Sequence, residues 1–459
     1  MNNDLNYFES HYQKLLKEFS DFLHFRSISA DPSCLVNCES CAAFLVDNLK
    51  DIFSIELWEK PCHPPIIYAT YREAGSTAPT LLLYNHYDVQ PADMSDGWLA
   101  DPFTMRKKGE HLIARGASDN KGQCFYTWKA LEHYYQSRKG FPVNITWIIE
   151  GEEESDSTAL KAFVQEKKEQ LQADYFLIVD GGFSSAKAPA VSIGARGLAI
   201  MKIALEEGQK DMHSGIFGGI AYNVNRALAE MLASLHHNDN SIAVEGFYDD
   251  VSLPKESERG DYPKSNLLKD GEKSLGFRPT LYSPATTVEE ALSVYPTLDI
   301  NGISGGYTGP GFKTVIPYKA TAYLSCRLVP KQDPQKTVKQ VIQHLEKLVP
   351  PTLKFSYEIF EGSPGWRSSP NLPIVLALQE IYSQLYHQPC LRVFMEATIP
   401  IASLLGSISK TEPIICGTSY LSDAIHAAEE NFSLEQMRNG FLSICLLLDK
   451  LAKAQKSTL

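Results

Sequence analysis

Short apolar runs alternate with amphipathic segments along the first part of the chain. Residues 13–25 and 39–52 carry apolar side chains at helical spacing, whereas 79–89 is a compact β-type run. Further strands are predicted at 143–150 and 174–180, each separated from the next by a helical segment. Strands and helices in this order predict an α/β fold with a mostly parallel sheet and helices on both of its faces.

The pattern changes in the middle of the chain. Residues 196–208 alternate like a half-exposed strand, and 319–329 is a further predicted strand among helices. This order indicates a small α+β domain with helices on one face of an antiparallel sheet. We therefore expect an α/β domain made of residues 1–195 and 367–459, interrupted by an inserted α+β domain of residues 196–366.

Length, charge and cysteine usage narrow the class of protein. The 459 residues exceed what one hydrophobic core usually accommodates, in agreement with two domains. A formal net charge of −12 argues against a nucleic-acid or anionic-membrane partner, because both require a basic surface. The first twenty residues lack the apolar core of a signal peptide, and no apolar run is long enough to span a bilayer. Nine cysteines without a paired framework predict reduced thiols and a cytoplasmic protein.

Acidic and imidazole side chains follow three predicted strands at the points where the strands end. His86 and Asp88 close the first, residues 150–154 close the second with a run of glutamates, and Asp180 closes the third. Asp119 lies in a turn before a helix. Ligands bind beyond the carboxyl ends of strands in such sheets, so we expect these side chains to converge. Imidazole and carboxylates together suit Zn²⁺ or Mn²⁺, and one carboxylate can bridge two ions about 3.5–4 Å apart.

Several segments, in order along the chain, resemble the signature runs of the M20 metallopeptidases. The resemblance is strongest to the cytosolic dipeptidase-like branch, which includes carnosine dipeptidase-type enzymes, and it extends from about residue 13 to about residue 450. The matching runs are LLLYNHYDVQP, ARGASDNKG, IIEGEEESDS, DMHSGIFGG, GGYTGPGFKTVIP and CRLVP, followed by the late His426. The resemblance implies that the inserted domain is a lid and dimerisation domain, and that the protein is a homodimer.

The resemblance also implies a pair of divalent ions in each subunit, Zn²⁺ foremost and Mn²⁺ or Co²⁺ as alternatives. By this correspondence His86 and Asp180 complete one metal site, Glu154 and His426 complete the other, and Asp119 bridges the two.

Catalytic roles follow from the same resemblance. Asp88 would orient the imidazole of His86, and Glu153 would be the general base that takes a proton from water. His213 would reach the active site of the partner subunit and stabilise the oxyanion. The residues expected to contact the substrate are Arg327, which would grip its free carboxylate, Thr314 and Thr398.

Two segments depart from the family pattern. The family's Arg-Glu-Gly-Gly-Ser run reads here as residues 394–398, with Glu396 and Ala397 in place of glycines. Its His-Ala-Pro-Asn-Glu run reads as residues 426–430, with Glu429 in place of asparagine. The resemblance implies a dipeptidase or short-peptide carboxypeptidase acting on substrates with a free C-terminal carboxylate, and the two altered segments concern the substrate-facing wall. An N-acyl amino acid deacylase of the same fold, or an inactive homologue that binds a peptide or metal, remain the alternatives.

Two further motifs predict no function. GISGG at 302–306 matches the nucleophile elbow of serine hydrolases around Ser304, but the Gly- and Pro-containing residues after it cannot begin the required helix. Cys34, Cys38 and Cys41 have the spacing of an iron–sulfur motif, yet they fall on one face of a predicted amphipathic helix. We interpret them as structural thiols.

Overall fold

The computed structural model describes residues 1–155, 157–183, 185–252, 288–395 and 399–457. The chain forms two compact units. The first contains Met1–Ile193, Ser368–Val393 and Leu404–Leu459, and the second contains Gly194–Arg367 and Phe394–Ser403.

The described helices and strands are numbered here in chain order. The helices are α1 Asn2–Ser10, α2 Tyr12–Leu23, α3 Leu35–Leu49, α4 Lys121–Arg138, α5 Thr158–Glu166, α6 Ser214–Phe217, α7 Val224–Ala233, α8 Val288–Ser293, α9 Pro334–Glu346, α10 Pro373–Tyr386, α11 Pro400–Ser409 and α12 Leu434–Ser457. The strands are β1 Ser54–Trp58, β2 Ile66–Tyr71, β3 Thr80–His86, β4 Arg106–Lys108, β5 His111–Ile113, β6 Asn144–Glu150, β7 Tyr175–Val179, β8 Gly182–Phe183, β9 Ala190–Ala195, β10 Gly197–Glu206, β11 Met212–His213, β12 Thr297–Gly305, β13 Val315–Ile316, β14 Lys319–Leu328, β15 Lys354–Ser363, β16 Trp366–Arg367, β17 Leu391–Met395, β18 Pro413–Cys416, β19 Ser419–Tyr420 and β20 Asn431–Ser433.

The large sheet of the first unit has a parallel centre. Its strand order includes β1-β2-β6-β3-β7-β18-β9. Strands β6, β3, β7 and β18 run parallel, whereas β1, β2 and β9 pair antiparallel with their neighbours. Strand β6 is buried along its whole length and β3 along all but its first residue, which explains their near-continuous apolar sequences. The predicted α/β class with a mostly parallel sheet is confirmed.

Helix α3 carries two of the three clustered cysteines into the core of the first unit. Cys38 and Cys41 are fully buried, while Cys34 precedes the helix and is half-buried. Burial raises the pKa of the Cys41 thiol to about 11, so this thiol stays protonated and unreactive near neutral pH. The interpretation of these residues as structural thiols agrees with their position.

The second unit is an antiparallel sheet with helices packed on one face. Strand order is β12-β14-β10-β15. Side chains in β10 and β14 alternate between buried and partly exposed, as expected for a sheet with one covered face. Met201 and Ile203 of β10 join Leu228 of α7 and Val341 of α9 in one hydrophobic core.

Ser304 lies inside β12, and the described residues that follow it, through Thr314, contain no helix. The strand–turn–helix context of a nucleophile elbow is therefore missing, and Ser304 is not a candidate nucleophile. No helix among the described residues combines the length and the apolar character needed to cross a membrane.

Candidate metal centre

The parallel strands of the first unit bring the predicted ligands to one edge of the sheet. His86 is the last residue of β3 and pairs in register with Glu150, the last residue of β6. Asp180 directly follows β7, which pairs parallel with β3. Asp119 lies two residues before α4 begins. The carboxyl ends of these strands therefore meet where the sequence analysis places the site.

Two groups of possible metal ligands share one aspartate. In each group the ligand atoms all lie within 4.8 Å of one another. Oδ1 of Asp119 is 3.2 Å from Nε2 of His86, and its Oδ2 is 3.0 Å from Nε2 of His426. Asp180 lies 3.6 Å from the His86 nitrogen and Glu154 lies 3.2 Å from the His426 nitrogen. Each imidazole thus has its own carboxylate, and the two oxygens of Asp119 face one imidazole each.

The environment of His86 suits a divalent cation. Its Nε2 is buried and makes no hydrogen bond within the part of the chain that the structure describes, although carboxylates surround it. Burial alone would lower the pKa of this imidazole, but the carboxylates of Asp180 and Asp119 outweigh burial and raise that pKa well above its usual value. A positive charge is therefore favoured at this point, and imidazole with carboxylates is a donor set that Zn²⁺ and Mn²⁺ accept.

Glu153 lies at the edge of the same cluster. Its Oε2 is 4.0 Å from Nε2 of His86, and its side chain keeps partial exposure. Burial raises the pKa of the Glu153 carboxyl, and the negative charges of Asp180 and Glu154 raise it further. A carboxylate with a raised pKa is able to accept a proton from water and pass it on near neutral pH.

Asp88 connects the first ligand to the glutamate turn. Its Oδ1 lies 3.3 Å from Nδ1 of His86 and accepts the backbone N–H of Glu153 at 3.1 Å. Its Oδ2 accepts the backbone N–H of Glu154 at 3.0 Å and the hydroxyl of Ser29 at 2.6 Å. The backbone C=O of Asp88 accepts the hydrogen bond of the His86 ring, with 3.1 Å between Nδ1 and the oxygen. Asp88 therefore holds the ring of His86 through its main chain, and the backbone of two acidic residues through its fully buried carboxylate.

Asn120 and Gln90 have supporting contacts that the sequence analysis missed. The Asn120 side-chain amide donates to Oδ1 of Asp180 at 2.7 Å, and its carbonyl accepts from Asn85 at 2.8 Å. The Gln90 amide donates to Oε2 of Glu154 at 3.0 Å. Asn120 directly follows Asp119 through a cis peptide bond. The adjacency of Asn120 to a predicted ligand is the one sequence signal that could have identified it.

Glu429 stands where the family has asparagine, and its negative charge is paired with Arg106. Its Oε1 accepts hydrogen bonds from Nη2 of Arg106 at 2.5 Å and from the backbone N–H of Leu99 at 3.0 Å. Its φ of 63° lies in the left-handed region, which asparagine adopts more readily than glutamate. The ion pair with Arg106 thus neutralises the charge that replaces the family's asparagine.

Three of the remaining predicted residues belong to the second unit. His213 in β11 is exposed and pairs with Val315 of β13. Thr314 precedes that strand, is also exposed, and accepts the backbone N–H of Ser214 at 3.0 Å. Arg327 is a partly buried residue of β14. Their roles stay predictions. Thr398, with Glu396 and Ala397, lies outside the described residues.

Comparisons with known proteins agree with this geometry. The model of Peptidase family M20/M25/M40 matches residues 82–450. A Beta-Ala-His dipeptidase of Rattus norvegicus is 32% identical over 404 residues, which cover 86% of this chain and 82% of the relative. A Cys-Gly metallodipeptidase of Schizosaccharomyces pombe is 29% identical over 398 residues, covering 85% of this chain and 83% of that protein. The structure of an M20 family metallo-carboxypeptidase from Sulfolobus solfataricus matches with a TM-score of 0.82 and 28% identity, covering 96% of this chain and 99% of that one.

The family model spans most of the chain, and its matched region contains all five residues of the two ligand groups. The similarity extends to whole metallodipeptidases and to an M20 fold. The resemblance found in the sequence is confirmed: this chain is a metallopeptidase that belongs to peptidase family M20/M25/M40.

Proposed function

We propose that this metallopeptidase is a dipeptidase that uses a pair of divalent ions to hydrolyse the amide bond of dipeptides or short peptides with a free C-terminal carboxylate. The observation that carries the proposal is Asp119, whose two oxygens face the imidazoles of His86 and His426. The names of two relatives support the substrate class, because one is a dipeptidase for Beta-Ala-His and the other a metallodipeptidase for Cys-Gly.

His86, Asp119 and Asp180 would hold one ion, and Asp119, Glu154 and His426 the other. We propose Zn²⁺ as the native metal, with Mn²⁺ and Co²⁺ as substitutes, because all three accept imidazole and carboxylate donors. Bound ions would lower the pKa of the attacking water and would polarise the substrate carbonyl.

Glu153 is the proposed general base. Its carboxylate would take the proton of the attacking water and deliver it to the leaving amine. Its backbone is held by Asp88, so the side chain extends from a fixed point beside the ligands. Burial raises the pKa of Glu153, which allows the carboxyl group to keep the proton until the amine departs.

His213 is proposed to stabilise the oxyanion from the partner subunit. Its Nδ1 accepts the backbone N–H of Gly215 at 3.0 Å, so the neutral ring carries its proton on Nε2. That nitrogen is thereby prepared as a donor, which the oxyanion role requires. Arg327 is proposed to bind the substrate carboxylate, because a planar guanidinium can donate two parallel hydrogen bonds.

The lid and dimerisation role of the second unit is part of the proposal. Strand β12 is an edge strand of its sheet and carries Ile303, whose side chain is 65% exposed. Between β12 and α7 lies a cavity of about 780 Å³ whose lining includes Ile300, Leu232 and Ala229. An apolar edge of this kind supports pairing with a second copy, since unpaired edges are otherwise prone to aggregation.

A reducing, cytoplasmic location is proposed from the thiols, because all nine cysteines are free. Deacylation of N-acyl amino acids is not favoured, since the relatives reported above are peptidases. A binding role without turnover is not favoured either, since Glu153 and both ligand groups are present.

The test compares metal-stripped protein with samples that receive Zn²⁺ or Mn²⁺. Both would be incubated with a pool of dipeptides, their C-terminally amidated forms and N-acyl amino acids, and released amino acids would be quantified. We expect metal-dependent cleavage of the free dipeptides alone. Cleavage of only N-acyl amino acids would replace the proposal with the deacylase function, and bound metal without any cleavage would favour the binding role.

A further inference from the structure

The carboxylate of Glu430 is fully buried and accepts four hydrogen bonds from one short loop. Its Oε1 accepts the backbone N–H groups of Ser118 at 2.9 Å and Asp119 at 3.0 Å. Its Oε2 accepts the backbone N–H of Gly116 at 2.8 Å and Nη1 of Arg115 at 2.8 Å. Each oxygen therefore receives two donors, a demand that only an ionised carboxylate side chain can meet.

This loop leads directly to the shared ligand. The backbone C=O of Glu430 accepts the N–H of Ala114 at 3.1 Å, and the next residue, Asn431, pairs with Ile113 in the β20–β5 ladder. Hydrogen bonds to residues 430 and 431 thus extend from the β20–β5 strand pair, through Ala114 and Gly116, to the N–H of Asp119. Glu430 therefore binds the backbone of this loop from Ala114 to Asp119.

Glu430 ends the segment 424–430, and His426 lies near the other end of this segment. The His426 side chain is 51% exposed, so surrounding atoms restrain the ring only on one side. His426 and Ala424 both have left-handed backbone conformations, with φ of 62° and 56°. A segment with such unfavourable backbone conformations keeps them only when contacts with the surrounding structure hold it in place. Glu430, four residues after His426, fixes one end of this segment through the four hydrogen bonds of its carboxylate.

We propose that Glu430 is a positioning residue that sets the spacing between Asp119 and His426, and thereby the affinity for the ion that these two residues share. The proposal rests on the proposed function, because it presupposes that the two ligand groups bind divalent ions. Glu430 itself touches neither ion nor substrate; it acts through the backbone of the ligand loop.

Glu430→Gln is the decisive variant. Glutamine has the same shape but one acceptor oxygen, so its NH₂ group must face two of the four donors. We expect at least one ion to bind roughly 10–100-fold more weakly, measured by competition with a chromophoric chelator. With Mn²⁺, the electron paramagnetic resonance signal of an exchange-coupled pair should be lost at ion concentrations that saturate the unaltered protein.

Asp4→Asn is the matched control. Asp4 is also a fully buried carboxylate, and it accepts hydrogen bonds from Nε2 of His133 at 3.0 Å and Nη1 of Arg138 at 2.9 Å. None of these partners belongs to either ligand group. The Asp4→Asn substitution should lower the melting temperature of the protein and leave its affinity for both ions unchanged. Glu430→Asp, which keeps both oxygens on a shorter stem, should bind ions with intermediate affinity.

The outcomes separate the two proposals. If the unaltered protein binds no divalent ions, the proposed function fails. If it binds both ions and folded Glu430→Gln binds them equally well, the positioning role is overturned. An equal loss of ion affinity in Asp4→Asn would also overturn it, because general destabilisation would then explain the effect. Should Glu430→Gln not fold, unaltered affinity and spin coupling in Glu430→Asp would overturn the role.

Discussion

Gly116 begins the turn toward Asp119 with a φ of 81°, and its substitution by alanine tests how tightly that turn is packed. A left-handed backbone costs alanine about 1–2 kcal/mol. The added Cβ would lie 2.6 Å from Cγ1 of Val89 and 3.4 Å from Cδ of Lys121, both of them buried side chains. Overpacking of this kind costs about 1–3 kcal/mol. We expect Gly116→Ala to lower the free energy of unfolding of the first unit by about 2–5 kcal/mol.

Gly109→Ala is the matched control. Gly109 also has a positive φ, 61°, but an added Cβ would meet nothing within 4 Å. This variant bears the backbone cost alone, so the difference between the two variants should be about 1–3 kcal/mol. Guanidinium unfolding followed by tryptophan fluorescence suits the measurement, because the first unit contains four of the five tryptophans, namely Trp58, Trp98, Trp128 and Trp147.

Equal destabilisation of the two variants, within about 0.5 kcal/mol, would refute the packing argument. A double-mutant cycle gives a second check. Val89→Ala removes the atom that the new Cβ would meet, so Gly116→Ala should cost less in that background than in the natural one. If the effects of the two substitutions on the free energy of unfolding are additive, the close approach to Val89 does not contribute to the destabilisation by Gly116→Ala.

Three further predictions concern the site. Asp88→Asn leaves one acceptor oxygen for the N–H groups of Glu153 and Glu154, and should weaken divalent-ion binding about 10–100-fold in equilibrium dialysis; unchanged affinity would contradict the role of Asp88. Glu153→Gln should retain the ions, as measured by elemental analysis, while kcat for dipeptides falls by about 10²–10⁴-fold; an unchanged kcat would exclude Glu153 as the general base. Arg327→Lys should raise KM for free dipeptides with little change in kcat, because a lysine cannot donate two parallel hydrogen bonds; equal effects on amidated dipeptides would argue against carboxylate recognition.

The candidate ligands that end buried strands could be predicted from the sequence. The apolar run before His86 and the one before residues 151–154 predict strands β3 and β6, and parallel pairing brings their ends together. Local sequence patterns and one general rule of α/β sheets are enough to place these side chains together.

The contacts that hold the candidate ligands could not be predicted in the same way. Glu430 lies in a polar stretch that reads as exposed, yet its carboxylate is buried because its donors come from a loop more than three hundred residues earlier. Glu429 likewise pairs with Arg106, 323 residues away in sequence. Neither pairing leaves a local signature, since hydrogen-bond partners this distant are determined by how the whole unit packs.

The position of β18 in the large sheet has a consequence for how the protein is made. This strand, Pro413–Cys416, lies between β7 and β9, which are completed before residue 196. While a ribosome synthesises the intervening residues, both neighbours have an unpaired edge, for roughly ten to forty seconds at ordinary elongation rates. Unpaired edges of buried strands attract other chains. The nascent protein should therefore depend on chaperones or on slow, late closure of the sheet, and premature termination between these strands should release an aggregation-prone fragment rather than a smaller stable enzyme.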